Sequence, residues 1–180
     1  IDLSTEGGVI FFKNRFENYT NHFFASTATN LGTSKLREVN GSYYYTTSGG
    51  VTSFNTDGYT VGNDDRVNKN VNDFMAITYR KAPKFFDVVE YTGTGTARTI
   101  AHNLGCAVGA MLCVPLDQSR QNNWWMNGFD SLTQGYVQAN TNNPEGTNSG
   151  FWNSTAPTST HFSVGASNDT NANGTNYLML

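Results

Sequence analysis

Flat aromatic faces are the residues most able to do chemistry in this chain. Trp124-Trp125, Phe151-Trp152 and Tyr43-Tyr44-Tyr45 are ring types that stack on sugars and anchor interfaces. Trp124, Trp125, Trp152, Tyr43, Tyr44 and Tyr45 are therefore the candidate binding residues. Successive side chains on a strand point to opposite faces, so one ring of an adjacent pair points out where the other points in. The plainer alternative is a core on one side and a subunit contact on the other.

Other reactive groups do not assemble into motifs. His22, His102 and His161 fall in no HxH or HExxH spacing, and a metal would need them to converge from three separate strands. Asp57, Asp64 and Asp65 lack the alternation and closing Glu of a calcium loop, so turn carboxylates are the reading. No GxSxG elbow is present. Gly93-Thr94-Gly95 is followed by neither a helix start nor Lys-Ser/Thr, so it is not a phosphate loop. Any two of the 14 acids could in principle form a glycosidase pair, but sequence alone brings no two of them together. Cys106 and Cys113 are seven apart; on one strand that separation puts them on opposite faces and disfavours a disulfide, so both read as plain thiols. No catalytic residue, metal ligand or cofactor is assigned, and the expectation is a protein that is not an enzyme. Sequons occur at Asn18, Asn40, Asn153, Asn168 and Asn173, as chance alone would supply in so Asn- and Thr-rich a chain.

The composition narrows the partners. A net charge of -3 with 11 scattered Lys and Arg argues against nucleic acid. No apolar run reaches the roughly 20 residues of a membrane helix, so no membrane insertion is expected. Charged residues are only 14 % of the chain; Asn and Thr together fill roughly a quarter, which disfavours helix and favours turns and solvated strand faces.

The elements that must position the aromatics read as short strands. Gly8 to Arg15, Asn21 to Ala25, Lys35 to Val39, Tyr59 to Gly62, Asp73 to Tyr79, Val108 to Val114, Asn123 to Met126, Gly135 to Gln138, Thr160 to Val164 and Tyr177 to Leu180 are alternating or β-rich. Asn63 to Asn70, Asn140 to Gly150 and Asn168 to Asn173 read as loops. The strongest signal is Lys81 to Gly105. There Phe86 to Tyr91 is a strand, Thr92 to Thr96 a turn, and Arg98 to His102 the returning strand of a hairpin. No apolar 3.6-residue period persists. The expected fold is all-β, with little or no helix: two tandem antiparallel β-sandwich-like units of jelly-roll or lectin-like type.

Two units are expected because the chain repeats. Tyr59-Thr60-Val61-Gly62 matches Phe162-Ser163-Val164-Gly165, and Val67 to Met75 matches Thr170 to Leu178, both at a shift of about 103 positions. Asn21-His22-Phe23-Phe24 matches Asn122-Asn123-Trp124-Trp125 at a shift about two smaller, and Val9 to Phe12 falls opposite Met111 to Val114. The units are residues 1–82 and 83–180. The first has no counterpart of the central hairpin, whose place would lie before Ile1. The second stops at Leu180, opposite Ile77, whereas the first runs on. Both features fit an excerpt of a longer repetitive protein.

Lys81-Ala82-Pro83-Lys84-Phe85-Phe86-Asp87-Val88-Val89, Tyr91-Thr92-Gly93-Thr94-Gly95, Thr99 to Gly105 and Trp152 to Ser163 resemble a tandem domain of virion proteins of marine tailed bacteriophages, in chains of tail-fibre or tail structural type. The similarity covers nearly the whole chain and carries no catalytic residues. It departs most at Gly41 to Gly49, with its three tyrosines, and at Val108-Gly109-Ala110, where related domains commonly have a Pro. The resemblance implies a structural or adhesion segment of a virion, assembled in the bacterial cytoplasm, and a homo-oligomer (a trimer, as in tail fibres generally) meeting other virion proteins and host-surface glycan. The alternatives are a carbohydrate-binding module using its exposed aromatics, and a fibre or decoration protein on the neck or capsid.

Overall fold

The computed structural model describes residues 1–16, 22–139 and 141–180; the sequon at Asn18, Asn21 and Asn140 lie outside them. The first half runs β1 (Gly8–Asn14), β2 (His22–Ser26), β3 (Lys35–Glu38), β4 (Tyr44–Thr46), β5 (Val51–Phe54), β6 (Tyr59–Val61), α1 (Asp65–Asn68) and β7 (Phe74–Arg80). The second runs β8 (Val89–Thr92), β9 (Arg98–Ala101), β10 (Ala110–Pro115), β11 (Asn123–Met126), β12 (Gly135–Gln138), β13 (Gly146–Thr147), α2 (Ser149–Trp152), β14 (His161–Val164), α3 (Asn168–Asn171) and β15 (Asn176–Met179). The protein is all-β, and its ladders are antiparallel. Each helix is a single turn, capped by Asp64, Asn148 or Ser167 accepting from the backbone N–H two residues on. Asp64 and Asn148 lie in stretches that read as loop in the sequence, and Ser167 stands just ahead of one. Such side chains close one helical turn as readily as they close a bend.

Every named ladder joins strands of the same half. One sheet has the order β4-β3-β2-β1-β7, the other β13-β12-β11-β10-β15-β8, and two ribbons, β5-β6 and β14-β9, stand apart. The orders superpose, and the ladders give the register. Phe12 pairs with Ala76 as Cys113 pairs with Met179, and Phe11 pairs with Phe24 as Leu112 pairs with Trp124. Side chains agree with this alignment: Ile10 and Phe12 lie in the first unit's core where Met111 and Cys113 lie in the second's. The strand matches read from sequence are thus one residue out in β1 and β2. Val9 stands opposite Ala110 rather than Met111, and Phe24, not Phe23, stands opposite Trp124.

Loop geometry repeats as well. Asn68 Nδ2 donates to Gly62 O at 2.6 Å, and Asn171 Nδ2 to Gly165 O at 2.7 Å. Gly62 N donates to Gly50 O and Asp64 N to Gly49 O, just as Gly165 N donates to Phe151 O and Ser167 N to Gly150 O.

The central hairpin is corrected. β8 pairs with β15 and β9 with β14, and the two do not pair with each other. The Thr92 to Thr96 segment bonds to α3 and its flanks instead of closing on itself. Gly93 N donates to Thr175 O, Gly95 N to Asn171 O, and Thr94 N to Asn171 Oδ1. Gly93 lies so close to Ala172 O that a Cβ would collide. The chain turns a corner there and passes from one sheet to another, as strands of a sandwich do.

Three cores result. Ile10, Phe12, Phe23, Leu36 and Val51 form one, between the first sheet and its ribbon. Tyr91, Met111, Trp125, Trp152, Phe162 and Tyr177 form the second, between the other sheet and its ribbon. The third lies between the halves: Val9, Phe24 and Leu31 from the first pack with Leu112, Val114, Leu116 and Leu178 from the second, all fully buried. The two main sheets therefore sit back to back, sandwich-like, with alternate residues of β1 and β10 serving the unit's own core and the shared one.

Gly62 and Gly165 are equivalent points of close backbone approach in the two units. A Cβ on Gly62 would sit 2.6 Å from Gly49 O, and one on Gly165 would collide with Gly150 O. Gly62→Ala and Gly165→Ala should each lower stability by about 1–3 kcal/mol in urea denaturation, while Gly128→Ala, with open space around it, should be nearly neutral.

Candidate functional site

Two of the three tryptophans proposed for binding, Trp125 and Trp152, are structural. Trp152 is fully buried and its Nε1 donates to Gly135 O at 2.9 Å. Trp125 lies in the same core with its Nε1 donating to Leu132 O at 3.0 Å. Each indole N–H is satisfied inside, so neither ring can stack on an incoming ligand. Trp124 points the other way, onto the shared core, and lines the groove described below. The alternation of the pair holds: Trp125 faces its unit's core, and Trp124, half-buried, faces the seam.

The tyrosine run divides. Tyr45 is half-buried against the first core, with its hydroxyl donating to Glu38 Oε1 at 2.9 Å and the Arg66 guanidinium 3.9 Å from its ring centroid. Tyr43 and Tyr44 are 59 % and 38 % exposed. The Lys35 ammonium lies 5.8 Å from the Tyr44 ring centroid. These two are the members of the predicted set open at the surface.

Sequence reading missed the residue that joins the halves. Arg37 of β3 is fully buried on the back of the first sheet. Its Nε donates to Pro115 O at 2.8 Å, one terminal nitrogen to Tyr43 O at 2.6 Å, and the other to Asn122 Oδ1 at 3.0 Å. Asn122 Nδ2 returns donations to Glu38 O, Val39 O and Gly41 O at 2.8–3.1 Å. Burial lowers the Arg37 pKa to about 10, against the opposing pull of the neighbouring Glu38 carboxylate. At another point of contact, Glu90 of β8 accepts from Thr29 N and Asn30 N at 3.1 and 2.8 Å. The one available signal was Arg37 itself, a charge between Leu36 and Glu38 in an alternating strand. By register it stands where the second unit has Val137.

Beside the shared core the seam opens into an apolar groove of about 810 Å³. Phe11, Met75, Ile77, Phe85 and Trp124 line it, and His22 with Lys13 and Lys84 stands at its polar margin. Burial, with Lys13 adding to it, lowers the His22 pKa. Met75, Ile77 and Phe85 remain well exposed.

The second core holds a polar cluster. Tyr91 Oη donates to Thr170 O at 2.7 Å and lies 3.3 Å from Cys113 Sγ. Tyr177 Oη donates to Asn168 O at 2.6 Å and accepts from Ala172 N. Burial pushes the Cys113 thiol and the Tyr177 phenol up to about 12, and Tyr91 well above its ordinary value. A thiol so raised is a poor nucleophile. Cys106, half-buried, lies in the loop before β10 and not on the strand, and both cysteines are free. Among the described residues no group of three His, Cys, Asp or Glu is placed to hold a metal ion, and no helix is long and apolar enough to cross a membrane.

A family model described as a domain of unknown function (DUF7483) matches residues 2–179, through both units. The chain belongs to that family. No curated protein and no solved structure matches the chain.

Arg37→Met leaves carbonyl oxygens of both units and Asn122 without their donor. Urea denaturation should show a loss of roughly 2–4 kcal/mol, and Arg37→Met with Asn122→Ala should lose less than the sum of the two. Alkali supplies a second check. The ordinary pKa is 9.0 for Cys and 10.0 for Tyr; above those values the unfolded chain has lost protons that Cys113, Tyr91 and Tyr177 keep in the fold. Stability therefore falls from pH 9.0 toward about 12. Arg37 acts with the opposite sign above about 10, where the unfolded chain holds the extra proton. Between roughly pH 8 and 10 the thiol dominates, so Cys113→Ala should flatten the pH dependence of the denaturation midpoint there.

Proposed function

We propose that the chain is a non-enzymatic structural and adhesion module of a tailed-bacteriophage virion, of tail-fibre or spike type. Its likeness to marine phage virion domains supports the setting, and the distribution of its large apolar side chains supports the role. The single observation that carries the role is the seam: Trp125 and Trp152 are spent inside, while Met75, Ile77 and Phe85 stand exposed around an apolar groove. An exposed apolar patch rimmed by polar residues is a surface for protein rather than for a small polar substrate. On this reading the partners are further copies of the chain, a trimer by analogy with tail fibres, and other virion proteins. The protein is assembled in the host cytoplasm and resides in the particle, on the tail or, in the alternative placement, on the neck or capsid.

Immunogold labelling of intact particles should mark the tail, and light scattering of the purified chain should give a stable oligomer; a stable monomer absent from particles removes the proposal. The second reading, a carbohydrate-binding module, is favoured by exposed Tyr43 and Tyr44 beside Lys35. It predicts that Tyr43→Ala with Tyr44→Ala abolishes binding on a glycan array and leaves the thermal midpoint unchanged, and it fails if the parent chain binds no glycan.

A further inference from the structure

The two sheets differ by one strand, and the difference marks an unfilled position. β15 pairs with β10 on one side and β8 on the other. β7, its counterpart, pairs with β1 alone, and among the described residues its other edge carries no strand. The side chains record the same asymmetry. Leu178 and Met179 are 0 % and 3 % exposed, whereas Met75, in the place of Leu178, is 46 % exposed and Ala76, in the place of Met179, is also open. Ile77 beside them is 43 % exposed. A seven-residue strand of Phe, Met, Ala, Ile, Thr, Tyr and Arg with a free row of N–H and C=O groups is a template for another strand.

We propose that the free edge of β7 is a strand-acceptor site, and that its occupant is an extended segment of β8's chemistry, paired antiparallel from outside residues 1–180. The second unit supplies the register. Tyr91 pairs with Tyr177, Glu90 with Leu178 and Val89 with Met179. Carried to the first unit, the aromatic position of the incoming strand lies opposite Phe74, the acidic one opposite Met75 and the β-branched one opposite Ala76. Its aromatic ring closes the open end of the first core, as Tyr91 closes the second. The chain's own β8 cannot serve, because β15 already holds it. The inference stands independently of the virion reading.

The spacing of the second unit prescribes the test. Val9 stands where Ala110 stands, so Ile1 stands where His102 does, immediately after β9. A copy of Phe86 to Ala101 joined directly ahead of Ile1 reproduces that connection without a linker. Amide exchange at Phe74, Ala76 and Thr78, whose backbone groups face away from β1, should then slow at least tenfold, and the thermal midpoint should rise by several degrees. The same extension with proline in place of Val89, Glu90 and Tyr91 should do neither. Unchanged exchange at Phe74, Ala76 and Thr78 in the extended chain overturns the proposal. So does a parent chain that is a dimer with β7 already protected, which would assign the edge to a second copy.

Discussion

A guanidinium withdrawn from water needs a partner for each N–H it carries inside. Arg37 finds its partners at the seam, on Pro115 O, Asn122 Oδ1 and its own unit's Tyr43 O. Pro115 O and Asn122 Oδ1 belong to a connecting segment that could turn elsewhere, so the requirement fixes more than one side chain. It fixes the 115–122 loop against the end of β3, and hence the distance and rotation between the sheets. The apolar shared core supplies the drive to associate, which is non-directional. The clamp supplies the direction. Glu90, accepting the N–H groups of Thr29 and Asn30, adds a second directional contact.

With the back faces closed, each unit can use its other face for its own core. The ribbon β5-β6 covers one sheet and β14-β9 the other, and Trp125, Trp152 and Tyr45 of the candidate binding set are consumed in these layers. What remains for partners is where a layer is incomplete: the groove at the seam, the exposed pair Tyr43 and Tyr44, and the edge of β7.

The fold class was legible because alternation and turn chemistry are local. Val9 to Phe12, His161 to Val164 and the Asn- and Gly-rich turns carry their reading within a few residues. The repeat was legible for the same reason, but its register was not, since Phe23-Phe24 and Trp124-Trp125 match equally well by type at two offsets that differ in which ring faces which core. The Lys81 to Gly105 stretch misled because hairpin chemistry, two strands around Thr-Gly-Thr-Gly, is also the chemistry of a strand leaving one sheet for another. Only the partners in α3, about 75 residues away (Thr94 N to Asn171 Oδ1 spans 77), decide between them. The site was least legible of all. An aromatic pair has the same sequence whether its outward ring meets solvent or a second sheet, and Arg37 reaches the other half only through residues some 80 positions on, Pro115 being 78 away and Asn122 85.

The back-to-back arrangement bears on how such a chain can grow or shrink. Deleting either copy would strip the cover from the other, leaving Phe24 and Val9, or Leu112, Val114 and Leu178, as a wet apolar sheet face. Duplication of a single copy would leave one such face unmatched. The pair is thus the smallest piece of this architecture in which both sheets are covered, and the offset between the copies changes in the loops while the strands keep their phase.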